Sequence, residues 1–230
     1  VDGSLSDALL AHRLAAGAAL PPARSLPILI DLLRGARDLE REHVVHAGLS
    51  EFNIAMSGGR PLIDDFAHSG TVGDEDVGFG VGRTAMRRSP LRQPPEAVLG
   101  TLTGPSNHVW MVGTVFAVMA LGHLPQEEGV ARSRGSIPTY FVADAGEHEA
   151  IAAAIRANFS IRLARNFEDQ SDDIRSLLVG MLEVDPERRW STRGALAAAL
   201  GAAARLGVEV PPERGRRSQP GPSYDTAGDL

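Results

Sequence analysis

The residues that could carry out chemistry in this 230-residue chain are restricted in type. All 23 basic side chains are arginine, and the chain contains no lysine and no cysteine. The missing lysine excludes a Walker-type phosphate loop, a Schiff-base enzyme and a lysine nucleophile on this chain. The missing cysteine excludes disulfide scaffolds and thiolate metal sites, and it leaves the redox compartment undetermined.

Two local patterns resemble ligand-binding sites but lack the context that such sites need. His43 and His46 are three residues apart, yet no third metal ligand is evident, so we expect His46 to pack in the core. Residues 78–82, with sequence GFGVG, look like a nucleotide-binding glycine loop without its flanking strand and helix, and we interpret them as a flexible stretch. The formal net charge of −6 argues against nucleic-acid binding, which requires a basic surface.

The spacing of apolar residues predicts the elements that must position any site. Leu26–Glu42 has the period of an amphipathic helix, and Leu5–Ala19 is alanine-rich and compatible with a helix. Short apolar and β-branched runs between Val44 and Asp65, divided by Ser57-Gly58-Gly59, predict two or more short strands. A glycine-containing loop is predicted over residues 68–95, and further helices over residues 108–121, 147–158, 172–182 and 192–206.

The longest apolar stretch, Val109–Leu121, is shorter than the roughly 18 to 20 residues that a membrane span requires. We therefore interpret it as a buried core helix and expect no transmembrane segment. Residues 208–230 are rich in proline, glycine and arginine, which predicts a disordered tail. The sequence thus predicts a mainly α fold over residues 1–207, followed by that tail.

Five segments, in order along the chain, resemble landmarks of the protein-kinase catalytic domain. Residues 46–54, with sequence HAGLSEFNI, resemble the catalytic loop H-R-D-L-x-x-x-N and the strand after it, and residues 65–67 (DFA) are similar to D-F-G. Residues 94–96 (PPE), 108–113 (HVWMVG) and 185–189 (DPERR) resemble A-P-E, D-x-W-x-x-G and D-P-x-x-R. Several ordered landmarks at family-like spacing are more specific than any one of them.

The resemblance covers residues 1 to about 206 and identifies the chain as the large lobe of a protein-kinase-like domain. It implies a helical bundle with short β-hairpins that carry the catalytic and metal loops. The small lobe, with its glycine loop and strand lysine, is expected upstream of Val1, because residues 1–7 look like the hinge and the first helix after it.

Catalytic positions of the family are replaced in this chain. Gly48 stands where the family has the aspartate base, and Ala47 replaces the arginine that receives the activation-loop phosphate. Ser50 stands where serine/threonine kinases place a lysine near the transferred phosphate, so that charge is lost as well. His108 replaces the buried-helix aspartate that holds the catalytic loop, and Ala67 replaces the glycine of D-F-G.

Other positions match the family pattern. Asn53 and Asp65 match its two metal ligands, and both offer the oxygen donors that Mg²⁺ prefers. The resemblance therefore implies a residual site for Mg²⁺ and ATP, which would also need the upstream small lobe; the alternative is that both residues serve only as turn and hydrogen-bonding residues. Structural roles are implied for His46 and Phe66 as apolar spine positions, for Glu96 and Arg189 as an ion pair, and for His108 at its place on the buried helix.

Loss of the catalytic positions and retention of the structural ones indicate a pseudokinase, a binding or allosteric module with a protein partner. Two alternatives stay open: an active, atypical kinase in which Glu51 or Asp64 supplies the base, and a nucleotide sensor without phosphotransfer. The catalytic loop with Ser50 is loosely similar to secreted rhoptry kinase-like proteins of apicomplexan parasites. The sequence leaves a cytoplasmic and a secreted location equally open.

Overall fold

We analysed a computed structural model that describes residues 2–17, 19–71, 92–98, 104–124 and 170–215, together with residues 149, 152, 153 and 156. Most of these residues are helical, and two small antiparallel sheets complete the fold. The predicted mainly α class is confirmed at this level. The predicted helix over 147–158 and the glycine tract 78–82 lie wholly or mostly outside the described residues.

Two helices open the chain, close to their predicted positions. Helix α1 spans Leu5–Ala16; Ser4 caps its start in a reciprocal capping box with Asp7, and Gly17 ends it with a left-handed φ of 66°. Helix α2 spans Pro22–Arg41 and buries one apolar face in the core, as its amphipathic spacing predicts.

Two small sheets pair strands from different parts of the chain. The most distant paired residues, Val44 and Thr71, are 27 positions apart in sequence. Strand β1 (Val44–Val45) pairs antiparallel with β4 (Gly70–Thr71), and β2 (Ile54–Ser57) pairs antiparallel with β3 (Arg60–Ile63). The predicted turn between β2 and β3 is present, with left-handed φ at Gly58 and Gly59. Strand β4 falls inside the predicted loop 68–95; two residues paired through their backbones alone leave no pattern of apolar residues to detect.

Four further helices have defined bounds, and residues 149, 152, 153 and 156 are helical as well. Helix α3 covers Pro95–Val98, α4 covers Pro105–Leu121, α5 covers Asp172–Met181 and α6 covers Thr192–Arg205. Helix α4 is buried around most of its circumference, so its interpretation as a core helix is confirmed. Within the described ranges, none of the helices has both the length and the apolarity that a bilayer span requires.

Glycines allow two close approaches around α4 and α5. A Cβ on Gly113 would lie 2.9 Å from Cδ2 of Leu182, and a Cβ on Gly180 would lie 2.2 Å from Cε2 of Trp190. Carbon atoms in contact are ordinarily about 3.5 to 4 Å apart. Both helix positions therefore require the absence of a side chain, which fixes α4, α5 and the segment after α5 against one another.

The predicted tail is described as far as residue 215, and that part lies against the body. Gly207 ends α6 with φ 64°, and the backbone N–H of Val208 donates to the carbonyl of Ala203. Val208 and Val210 pack against the main core, and the chain then follows α2. Arginines of α2 and β3 supply hydrogen bonds to residues 211–213 that the composition of the tail does not reveal. The disorder expected over residues 208–230 stays a prediction.

Candidate functional site

The connection between β1 and β2, residues 46–53, is the centre of the candidate site, and we call it the His46 loop. The His46 ring is fully buried, with Nε2 2.8 Å from the carbonyl oxygen of Asp64. Its Nδ1 accepts the backbone N–H of Gly48 at 3.3 Å, so the ring proton is assigned to Nε2, which donates to Asp64. One imidazole therefore ties the start of the loop to the segment after β3.

His108, at the first turn of α4, holds the same loop from the other side. Its Nε2 accepts the backbone N–H of His46 at 3.0 Å, and the ring is fully buried. Burial, and to a smaller extent the positive charge of His46, lower the pKa of the His108 imidazole to about 4. Among the described residues no acceptor reaches Nδ1 of His108, which adds to the cost of this buried ring. The His108 imidazole is therefore neutral near pH 7 and acts as a hydrogen-bond acceptor.

The segment after β3 presents an acidic residue in a strained conformation. Asp65 has φ 56° and ψ 70°, in the left-handed region that non-glycine residues rarely occupy. Its Oδ1 accepts the backbone N–H of Ala67, and its own N–H donates to Oδ1 of Asp64 at 2.8 Å. The Phe66 ring lies 4.9 Å from the His46 ring, centroid to centroid. Local strain of this kind tends to be kept at functional sites, and here it exposes the Asp65 carboxylate.

Within the His46 loop, the side chain of Asn53 closes the backbone on itself. Its Nδ2 donates to the carbonyl oxygen of Gly48 at 2.8 Å, which leaves the amide oxygen as its other polar atom. A Cβ built on Gly48 would meet only ordinary contacts, the nearest at 3.6 Å to Asn53 Nδ2. The missing side chain at position 48 is therefore not imposed by crowding. Ser50 is buried, and its side chain makes no capping bond to the short 3₁₀ turn at Glu51–Asn53.

Residues before α3 hold the loop in ways that the sequence did not predict. Arg92 Nη2 donates to Oε1 of buried Glu51 at 2.5 Å, and its guanidinium lies over the Phe52 ring, 5.4 Å from the centroid. Gln93 Nε2 donates to the carbonyl of Ala47 at 2.9 Å. Ala47 itself has φ 49°, a second strained residue in the site. Glu51 is thus engaged in an ion pair, and no local sequence pattern joins positions 41 residues apart.

Glu96 and Arg189 form a buried bidentate ion pair. Nη1 of Arg189 lies 2.5 Å from Oε1 of Glu96, and Nη2 lies 3.1 Å from Oε2. The Arg189 side chain is fully buried, its Nε donates to the carbonyl of Glu183, and its guanidinium lies 4.9 Å from the Trp110 ring centroid. The pair joins α3 to the segment between α5 and α6, and its hydrogen bonds offset the cost of desolvating two charges.

The predicted site residues fall into two groups in space. His46, Gly48, Asn53, Phe66 and His108 are linked through the contacts described above, and Asp65 directly precedes Phe66. Glu96 and Arg189 form the second group, on the side of α3. His43 has a left-handed φ of 57° and, within the described part of the chain, no three His, Cys, Asp or Glu side chains are grouped so as to hold a metal ion.

Comparisons with known proteins leave the site without an assigned relative. No protein-family model matches the chain, and no curated protein matches it either.

Proposed function

We propose that this chain is the large lobe of a protein-kinase-like domain that has lost phosphoryl transfer and acts as a protein-binding or allosteric module. The observation that carries the proposal is the convergence on the His46 loop. Segments selected by their resemblance to kinase landmarks, at residues 46–54, 65–67 and 108–113, contact one another through His46, although nothing in their local sequences requires them to meet.

The replaced positions support the loss of catalysis. A general base must lie within hydrogen-bonding reach of the proton it accepts, and Gly48 has no side chain to do so. Ser50 offers no charge to a transferred phosphate. His108 supports the loop as a neutral imidazole acceptor in place of a carboxylate, so the support of the loop is kept while the proton-transfer group is absent.

The two substitute bases have geometries that disfavour the role. Glu51 is buried and paired with Arg92, so proton transfer through it would first require breaking a buried ion pair. Asp64 is exposed, and one of its oxygens accepts the N–H of Asp65. An active atypical kinase therefore has weaker support than a pseudokinase.

The experiment is a phosphotransfer assay on the protein in its full natural form, with radiolabelled ATP, Mg²⁺ and generic protein substrates. We expect the parent to incorporate no more label than Asp65→Ala. Strong labelling that Asp65→Ala abolishes would overturn the proposal. In that event Glu51→Gln and Asp64→Asn identify the base, because only the variant lacking the base would lose a large factor in rate, of order 10² to 10⁴.

A nucleotide sensor without phosphotransfer is a second candidate, favoured by the exposed Asp65 carboxylate and the amide oxygen left on Asn53. These oxygens suit Mg²⁺, which takes about six oxygen ligands and keeps several waters, so phosphates and water would complete the set. Bound metal would neutralise phosphate charge there.

Thermal melting with Mg²⁺ alone and with Mg²⁺ and ATP tests nucleotide binding, since ligand at 100 times Kd adds about 2.7 kcal/mol to the free energy of unfolding. A shift that Asp65→Ala removes supports the sensor, and no shift with either addition contradicts it.

A further inference from the structure

A groove on the side of α2 holds the segment 211–213, which we call the strap. The groove lies between α2 and β3, and its core is Asp31, whose carboxylate receives two hydrogen bonds from Arg60, at 2.7 and 2.8 Å, and one from Arg34 at 3.0 Å. Asp31 is 6% exposed, so this charge network is largely shielded from water. The network fixes both guanidinium groups in place before any ligand arrives.

The same two arginines each donate a further hydrogen bond to the strap. Arg34 Nη1 lies 2.8 Å from the carbonyl of Pro211, and Arg60 Nη2 lies 3.1 Å from the carbonyl of Pro212. Proline has no N–H, so its carbonyl is the only backbone hydrogen-bonding group that it presents. The groove therefore recognises two consecutive carbonyl groups on a chain whose φ angles proline restricts.

A carboxylate completes the recognition. Arg37 donates from Nη2 to Oε1 of Glu213. Hydrogen bonding to Arg37 and its positive charge lower the pKa of the Glu213 carboxyl, with smaller contributions from Arg34 and Arg41. Arg37 also lies 3.6 Å from Asp38, so its guanidinium is shared between a residue of α2 and the strap. The groove thus offers two carbonyl-binding guanidinium groups followed by a third that binds one acidic side chain.

The strap fills this groove incompletely. A cleft of about 270 Å³ remains between α2, β3 and residues 213–214. Nε of Arg37 is buried and has no acceptor among the described residues, whereas a carboxylate placed squarely on this guanidinium would use two of its N–H groups. The Glu213 side chain is 55% exposed, so its ion pair is one of the kind that contributes little to stability. The strap is therefore only weakly held at Glu213.

We propose that this groove is a docking site for an extended, proline-containing acidic segment of a partner protein, and that the strap occupies it in cis as a competitor. A short tethered segment has an effective concentration of the order of millimolar. A partner segment displaces the strap when the ratio of its concentration to its Kd exceeds the corresponding ratio for the strap. The inference rests on the groove alone and stands whether or not the proposed function holds.

The test uses fluorescence anisotropy with a labelled peptide of residues 209–214 (EVPPER) and the full chain. In the full chain, Glu213→Arg opposes Arg37 and releases the strap. We expect this variant to bind the peptide at least ten times more tightly than the parent. A matched peptide with glutamine in place of its second glutamate should bind the variant several times more weakly.

A charge swap separates docking from a general loss of structure. Adding Arg37→Glu to the Glu213→Arg chain re-forms an ion pair of opposite polarity with the strap and removes the guanidinium that binds the peptide's glutamate, so we expect peptide binding to fall to the parent level or below it. Circular dichroism melting checks that each protein is folded. Equal peptide affinity of the parent and Glu213→Arg, or no binding to Glu213→Arg at millimolar peptide, would overturn the proposal.

Discussion

The buried His108 imidazole should make the stability of this protein depend on pH in a defined window. Its pKa of about 4 in the folded state lies below the value of about 6.5 expected for an unfolded chain. Protonation would place a charge in the core and remove the lone pair that accepts the His46 N–H. The unfolded state therefore binds more protons between these pH values, so the stabilisation is fully present above pH 6.5 and is lost as pH falls towards 4.

The expected size follows from the linkage relation for a single group. Between pH 7 and pH 5 the free energy of unfolding should fall by about 2 kcal/mol, and the complete window is worth about 3 kcal/mol. Urea unfolding at pH 7, 6 and 5, followed by far-ultraviolet circular dichroism, measures this directly. These pH values stay above the range in which most carboxylates titrate.

The matched control is His108→Gln, whose amide oxygen lies as far from the backbone as Nε2 of His108 and can accept the His46 N–H but does not titrate. Contributions from carboxylates and from the histidines that do not contact His108 are common to both proteins and cancel to first order in the difference. We expect the parent to lose about 2 kcal/mol more than the variant between pH 7 and 5. Parallel pH profiles for the two proteins would refute the assignment of His108 as a buried neutral acceptor.

Two further predictions concern packing and charge. Arg189→Ala should lower the free energy of unfolding in urea by about 3 to 5 kcal/mol, because it leaves the Glu96 carboxylate buried without its partner. The double variant with Glu96→Ala should lose less than the sum of the two single losses. Strict additivity of the two losses would contradict the pairing. Gly180→Ala should destabilise the protein by at least about 1 to 3 kcal/mol, because the new Cβ meets the Trp190 ring. The new Cβ of Gly201→Ala meets only the flexible end of Arg205, so this variant should be more stable by up to about 1 kcal/mol. Equal effects at the two glycines would contradict the close packing at Gly180.

The sequence predicted the elements better than the contacts between them. Helix α2 has an amphipathic period, α4 is a long apolar run, and serines cap the starts of α5 and α6. Each of these helices begins and ends within a few residues of its predicted bounds. The two-residue pairing of β1 with β4 depends on backbone atoms, which every residue possesses, so side-chain patterns could not identify it.

The candidate site was predictable where a resemblance named its members and unpredictable elsewhere. Glu96 and Arg189 are 93 residues apart, and only their matched motifs suggested a pair. No motif indicated the contacts of Arg92, Gln93 or the strap. A single arginine or glutamine in a sequence is ordinarily interpreted as a solvent-exposed residue. The resemblance implied a structural role for His108, and the neutral imidazole supplies the lone pair that accepts the His46 N–H.

The most direct test of the central claim is single-turnover phosphoryl transfer by the full natural protein. Protein in excess over radiolabelled ATP and Mg²⁺ is sampled for labelled protein and released phosphate, with Asp65→Ala treated in parallel. The account predicts that the two proteins give the same background, because Gly48 offers no base and Glu51 is held by Arg92. Phosphoryl transfer by the parent that disappears in Asp65→Ala would contradict it.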